Sequence, residues 1–432
     1  MSKHPKPHKS PRYDKLKGPK AASRAPERPK PGPAQVAPAS ALPAPPSAVL
    51  TLDPLAPVIC RSGRPFDGQA GPDGARFPPP STVAGCLRTA WAQETGKPLG
   101  PDLMQLAIAG PLLARPRPTG GLRLYAPKPA DALYFGAGAQ ARCVPAAPTR
   151  LPDGSGADLP AGLLPVCLSQ AEEEKPGKGP AWWAWEDVLD FRTGQNPGHT
   201  QLAEGGWSPP VGDRRTHVAI DRETLAARTG QLFQTEGLDL APPLGLNDDP
   251  ESGLRLLVRC AEPLAETLVH LGGERRLARL EPRPEDTWPE PPEGWIETIR
   301  AAKGLTLTLL TPALFAAGYR PGWLQPDSDG LLSGAPPGLP GLTLRLRAAA
   351  VGRWQPHSGW DLAAQAPRAG RKLVPAGAVY WLEVLGESRL EDLNALWLAS
   401  LCDHPQDRRD GFGLALPAHW DPAAINEYNP PK

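Results

Sequence analysis

The 432-residue chain is short of the features that announce most enzymes. Its six cysteines, Cys60, Cys86, Cys143, Cys167, Cys260 and Cys402, stand far apart and form no Cys-x-x-Cys pair. That spacing indicates neither a zinc knuckle nor a disulfide framework, so reduced, mostly buried thiols are expected. The sequence has no P-loop, no dinucleotide glycine fingerprint and no Gly-x-Ser-x-Gly elbow; outside the first few residues it has no His-x-x-x-His pair. Phosphate-loop, nicotinamide, serine-hydrolase and zinc-peptidase chemistry lose their usual signatures. Asp327-Ser328-Asp329-Gly330 resembles part of a calcium loop but lacks the later ligands and reads as a turn. No metal and no cofactor is expected. With no run of 18 apolar residues and no apolar signal region, the chain is expected to be cytoplasmic, without contact with a membrane.

What is present divides the chain. Residues 1–50 hold ten Lys/Arg against two acids, Asp14 and Glu27, with many prolines and almost no large apolar side chain before Val49. Such a segment cannot bury enough surface to fold, so 1–48 is expected to be a disordered basic arm. The formal charge of +1 hides this split, because the rest of the chain carries 37 basic and 44 acidic residues. A nucleic-acid site in the body must therefore be a local patch.

Along the body, a strand candidate at 51–60 runs into a turn carrying Arg61, Arg64 and Phe66. Ser81 is placed to cap a helix through Glu94 whose stripe is Val83, Leu87, Ala90 and Trp91; Gly96 ends it and Arg88 lies off the stripe. Residues 97–216 break into short apolar runs and read as a large insertion, with 122–135 as a hairpin and Trp182–Trp185 as a packed or partner-facing helix. Strands follow at 217–220, just before Arg222, and at 254–260. Pro263 opens a short helix with Leu264, Leu268 and Leu271 on one side. Gly272 suits its left-handed end, and a basic strand follows that starts near Arg275 and Arg276. Five prolines over 282–295 mark a boundary. The second half repeats the layout: strands at 305–310, 342–347 and 379–383, a short helix from Pro312, and a helix with Leu390, Leu393, Trp397 and Leu401 on one side. A glycine turn, Gly411-Phe412-Gly413, leads into the last strand. The order β-α-β-β-α-β is ferredoxin-like. The expected fold class is α+β, with tandem ferredoxin-like (RRM-like) domains at 49–285, insertion 97–216 included, and 304–421, joined by a Pro-rich linker at 286–303.

Arginine with glycine and an aromatic ring recurs at loop ends: Arg61/Arg64/Phe66, Gly272/Gly273 with Arg275/Arg276, Arg353 before Trp354, Trp360 after Gly359, Arg371 with Arg368 and Lys372, and Gly411/Phe412/Gly413. Single-stranded RNA is held by this inventory, with cations on phosphates, close glycine amides and rings stacking on bases. His217, His270 and His357 lie nearest these elements, yet none sits in a base–nucleophile setting, so binding is expected rather than catalysis.

Taken together and in order, Arg61-Ser62-Gly63-Arg64-Pro65-Phe66, Phe77–Gly85, Pro129–Phe135, Leu271–Arg276, Val351-Gly352-Arg353 with Gly359-Trp360-Asp361, and Gly377–Glu383 resemble the family of third subunits of the Cmr complex. That complex is the type III-B CRISPR RNA-guided effector, and the family lies in the Cas-five-like branch of the RAMP superfamily. The resemblance covers about residues 50–420. It implies a non-catalytic, antiviral-defence subunit that grips the repeat-derived 5′ tag of the CRISPR RNA. It also implies docking on the large Cas-ten subunit and on backbone RAMP subunits, with target RNA nearby. Under it, the glycine loops at 272–273 and 411–413 match the superfamily's glycine-rich loop, and 122–135 or part of the following insertion supplies a thumb-like element. By loop position, Ser81, Arg88 and Arg222 join the arginine, glycine and aromatic residues above as candidate RNA contacts. Two other readings stay open: a metal-independent endoribonuclease processing guide precursors, and a structural adaptor.

Overall fold

Two antiparallel sheets organise the protein. The computed structural model describes residues 47–60, 74–136, 141–169, 172–241, 253–361 and 366–428. All but the end of the expected arm, and the turn with Arg61, Arg64 and Phe66, lie outside the described residues. The first sheet contains β1 (Ala48–Pro54), β2 (Ile108–Pro116), β3 (Leu122–Pro127), β4 (Trp182–Ala184), β5 (Arg255–Cys260), β6 (Thr267–His270) and β7 (Leu277–Arg283). Their spatial order is β6-β7-β1-β5-β2-β3-β4. The second contains β8 (Gly304–Leu309), β9 (Gln325–Pro326), β10 (Leu332–Gly334), β11 (Thr343–Ala350), β12 (Val379–Leu385) and β13 (Ala415–His419), ordered β9-β10-β11-β12-β8-β13. Within them, β7-β1-β5-β2 and β13-β8-β12-β11 set four core strands in one and the same order, fourth, first, third, second.

Alternation of side chains across each strand assigns the faces. Leu50 and Leu52 of β1, Leu256 and Val258 of β5 and Ala278 and Leu280 of β7 pack on Val83, Leu87 and Ala90 of α1 (Pro80–Thr95). The opposite face, with Val49, Leu112 and Leu257, meets Leu310, Leu398, Leu414 and Leu416 of the second half. The two sheets thus share a core. On the second sheet, Leu305, Leu307, Leu344 and Leu382 pack with Ile296 and Ile299 of α3 (Trp295–Ala302) and Leu393 of α4 (Leu390–Ala395). The tryptophans of 182–185 are all buried, in β4 and at the start of α2 (Trp185–Arg192). Five of the six cysteines are buried and none is paired; burial pushes the Cys60 and Cys86 thiols up to about 12, which keeps them protonated and inert.

Several expectations are corrected. The second core strand, β2, falls inside the segment read as an insertion, because Gly110-Pro111 breaks its apolar run. The β2–β5 register shifts between Leu257 and Arg259, an irregularity that makes room for the proline. Residues 263–271 are not helical: in β6 and just after it Val269 and Leu271 turn inward while Leu268 and His270 face out, a period of two. No helix starts at Pro312; α3, ahead of β8, covers that sheet instead. The helix expected through Leu401 stops at Ala395, and Leu398 takes a left-handed conformation, φ 52°. Residues 122–127 and 132–135 do not pair: the latter joins Arg142–Arg150. The Pro-rich stretch 286–303 is no spacer, since Trp288 is buried in the shared core and 295–302 is α3.

Candidate nucleic-acid interface

Each half carries a β-ribbon between its second and third core strands. In the first, Asp213–Ile220 pairs with Ala227–Gly237. In the second, Gln355–His357 pairs with Arg371–Leu373, and Trp360–Asp361 pairs with Ala366–Pro367 further out. Both ribbons reach the segment that leads into α1. The Ala75 N–H donates to Glu236 Oε1 (3.3 Å), and Arg76 Nη1 donates to the Pro356 carbonyl (3.2 Å). Ser81 Oγ lies 3.4 Å from His357 Nε2. Ser81 does not cap α1. Pro79 takes the cap position and Pro80 starts the helix, where a fixed φ and a missing N–H are no handicap.

Arg275 in the β6–β7 turn and Arg353 at the root of the second ribbon are exposed on this side, Arg222 is exposed in the turn at the far end of the first ribbon, beyond the Ile220–Ala227 pair, and none of the three forms an ion pair among the described residues. Arg276 pairs with Glu274 (3.5 Å), and Glu274 in turn lies 3.8 Å from His217 of the first ribbon. Arg371 grips Asp407 with two bonds of 2.6 Å, so much of its charge is spent internally. Lys372 Nζ sits 5.0 Å from the centre of the Trp354 ring, and Trp354 is half exposed. Trp360 lies in the outer strand pair of the second ribbon. Arg76 is an addition that the assembled structure brings forward, and Trp354, the aromatic of the Arg353 loop end, is one that it leaves half exposed.

Other expected residues are spent on architecture. Arg88 is 5% exposed: Nη1 binds Asp410 Oδ1 at 2.6 Å and Nη2 donates to the Leu106 carbonyl at 2.9 Å. It ties α1 to the end of α5 (Pro405–Arg409) and has no access to RNA. The turn at 411–413 is sealed. Its three N–H groups donate to the carbonyls of Arg408, Asp407 and Pro312, and the Phe412 side chain is 1% exposed. Gly411 has φ +89°, and a Cβ there would lie 2.4 Å from the Gly110 carbonyl, so the residue serves close approach of two backbones. At the β6–β7 turn, the Gly273 N–H donates to the Ile59 carbonyl (2.7 Å), and a Cβ on Gly272 (φ +76°) would meet that oxygen at 2.6 Å. The glycine pair seats the turn, and what it offers to solvent is Arg275. Asp327 accepts from the Asp329 and Leu331 N–H groups (3.0 and 2.9 Å), a turn rather than a cation loop.

His357 is buried against Phe412, with ring centres 5.4 Å apart. Burial, then the Arg371, Arg76 and Arg368 charges, outweigh Asp407 and lower its pKa from 6.5 to about 4. The folded protein refuses a proton that the unfolded chain accepts, so His357 costs no stability above about pH 6.5 and lowers it as the pH falls towards 4, by on the order of 3 kcal/mol. Urea unfolding of His357→Gln is expected to show a flatter stability profile between pH 6.5 and 4 than the parent; parallel profiles would refute it.

The family model for CRISPR-associated protein (Cas_Cmr3) matches residues 50–420. No curated protein matches the chain. Among solved structures, a chain of the Type III-B Cmr-beta bound to cognate target RNA and AMPPnP, state 1, is similar at TM-score 0.40 and 14% identity, covering 77% of this chain and 86% of that one. A chain of the Type III-B Cmr-beta bound to cognate target RNA is similar at TM-score 0.40 and 15% identity, with the same coverage. The match across most of the sequence places this protein in the Cas_Cmr3 family of CRISPR-associated proteins.

Proposed function

We propose that this subunit of a type III-B CRISPR effector is a non-catalytic holder of the 5′ tag of the CRISPR RNA, each half an elaborated ferredoxin-like (RRM-like) unit. The shared strand order of the two sheets supports the second clause. One observation carries the first, in a chain of this family: two inserted ribbons converge on the start of α1, with exposed Arg275 beside the first ribbon and exposed Arg353 at the root of the second, while exposed Arg222 stands in the turn at the first ribbon's far end. The first ribbon exposes Val218, Ile220, Leu225 and Leu232 near its end, which suits a thumb-like element set against paired strands. The remaining surface would dock the large Cas-ten subunit and backbone RAMP subunits. His357, buried and held neutral, and His217, stacked on Phe233 and bonded to Thr235, are poorly placed as the general base of a ribonuclease.

Arg275→Ala with Arg276→Ala is expected to weaken binding of 5′-tagged guide RNA and to flatten the salt dependence by about 0.7 in log–log slope for each phosphate deprived of its cation. Arg275 should dominate, because Arg276 is already paired. Filter binding across a salt series measures both. Parent-like affinity and slope in the double variant would remove this turn from the site. Site-specific cleavage of precursor RNA by the purified chain in EDTA would favour the endoribonuclease instead.

A further inference from the structure

Residues 157–166 of the insertion cross the outer side of the second sheet, where the Leu164 N–H donates to the Arg347 carbonyl (2.7 Å) and Leu164 and Val166 pack near Trp381. Between this segment and the root of the second ribbon runs a groove of about 920 Å³. That lies in the range of small-ligand clefts, roughly 300–1,000 Å³. Its walls include Leu159, Tyr319, Val351 and Trp354, and its charges are Arg353 and Lys372 against Asp158 alone. Three of those walls are open to solvent: Trp354 at 51%, Leu159 at 42% and Tyr319 at 38%.

The chemistry discriminates between occupants. A purely apolar partner element would leave Arg353 and Lys372 facing it with Asp158 as the one acid between them, and burying an unpaired cation is costly. A nucleotide brings a flat ring for the aromatic walls and an anion for the two cations, and Arg353 forms no ion pair within the described protein. We propose that the groove receives a splayed-out base of single-stranded RNA, stacked on Trp354, with its phosphate on Arg353 and Lys372. This rests on the RNA-holding reading and gives it a specific pocket, apart from the β6–β7 turn.

The test uses the full chain and single-stranded RNA bearing 5-iodouridine, irradiated and mapped by peptide mass spectrometry, with affinities measured in parallel. Adducts are expected on the peptides containing Trp354 or Tyr319. Trp354→Ala should bind about tenfold more weakly and Trp354→Phe within about threefold of the parent, the pattern of a lost stacking surface. The side chain is half exposed, so neither variant should unfold the protein. If the parent binds RNA but adducts avoid these peptides and Trp354→Ala binds as tightly, the pocket is wrong and RNA holding stands. If the parent neither binds nor crosslinks, both readings fall. If Trp354→Ala loses co-purifying protein subunits at unchanged RNA affinity, the groove docks protein and the proposal is overturned.

Discussion

Arg88→Ala is expected to destabilise the protein by about 3–5 kcal/mol, the largest loss from any single arginine-to-alanine change among the candidate residues. Both members of the Arg88–Asp410 pair are at or below 6% side-chain exposure. Removing one leaves the other as a buried charge with little solvent to screen it. Asp410 would keep only its bond from Gln406 Nε2 (2.8 Å), and the Leu106 carbonyl would lose a donor. The pair joins α1 of the first half to α5 of the second, so the loss should weaken the shared core as well. Replacing both partners, Arg88→Met with Asp410→Leu, removes the uncompensated charge and should recover more than half of the loss. Urea midpoints of the two variants and the parent decide the matter. A cost below about 1 kcal/mol for Arg88→Ala would mean that water reaches Asp410 and that the bridge is not a sealed one.

The second large effect belongs to Gly411→Ala, with about 3 kcal/mol or more expected from two sources that a control separates. A left-handed alanine costs about 1–2 kcal/mol by itself. Here the new Cβ would also stand 2.4 Å from the Gly110 carbonyl and 3.3 Å from the Ile108 carbonyl, both backbone, so no side chain can swing aside and the halves must part. Gly386 has a similar φ, +74°, with nothing within 4 Å of where a methyl group would stand. Gly386→Ala should therefore show the conformational cost alone. Equal losses in the two variants would show that the junction yields freely and that the close approach of Gly110 and Gly411 is not a constraint.

The same two halves show where sequence reading succeeds and where it stops. Strands β5, β8, β11, β12 and β13 announce themselves by short apolar runs bounded by turns, and α1 by its stripe and Gly96, which closes it at φ +67°. The segment at 263–271 misled because Leu264, Leu268 and Leu271 fit a helical period, while in the strand and just after it burial alternates, Val269 and Leu271 inward and Leu268 outward. Pairing with β7 settled it, and such a pairing is invisible to a local period. For β2, a proline inside the apolar run hid a central strand.

For the site, the sequence by itself determined the ingredients: an acidic-leaning body with local arginines, glycine turns before closing strands, the aromatic partners, and the family over residues 50–420. Only the tertiary structure decided which ingredient faces outward. Gly411, Phe412 and Arg88 offer the same glycine, aromatic and arginine chemistry as Gly272, Trp354 and Arg353, yet the first three are sealed at the junction of the halves and the others lie at the surface. The reason is physical: a guanidinium is equally suited to a phosphate and to a buried carboxylate, and a glycine to a ligand and to a neighbouring carbonyl. The choice depends on what the fold brings beside it.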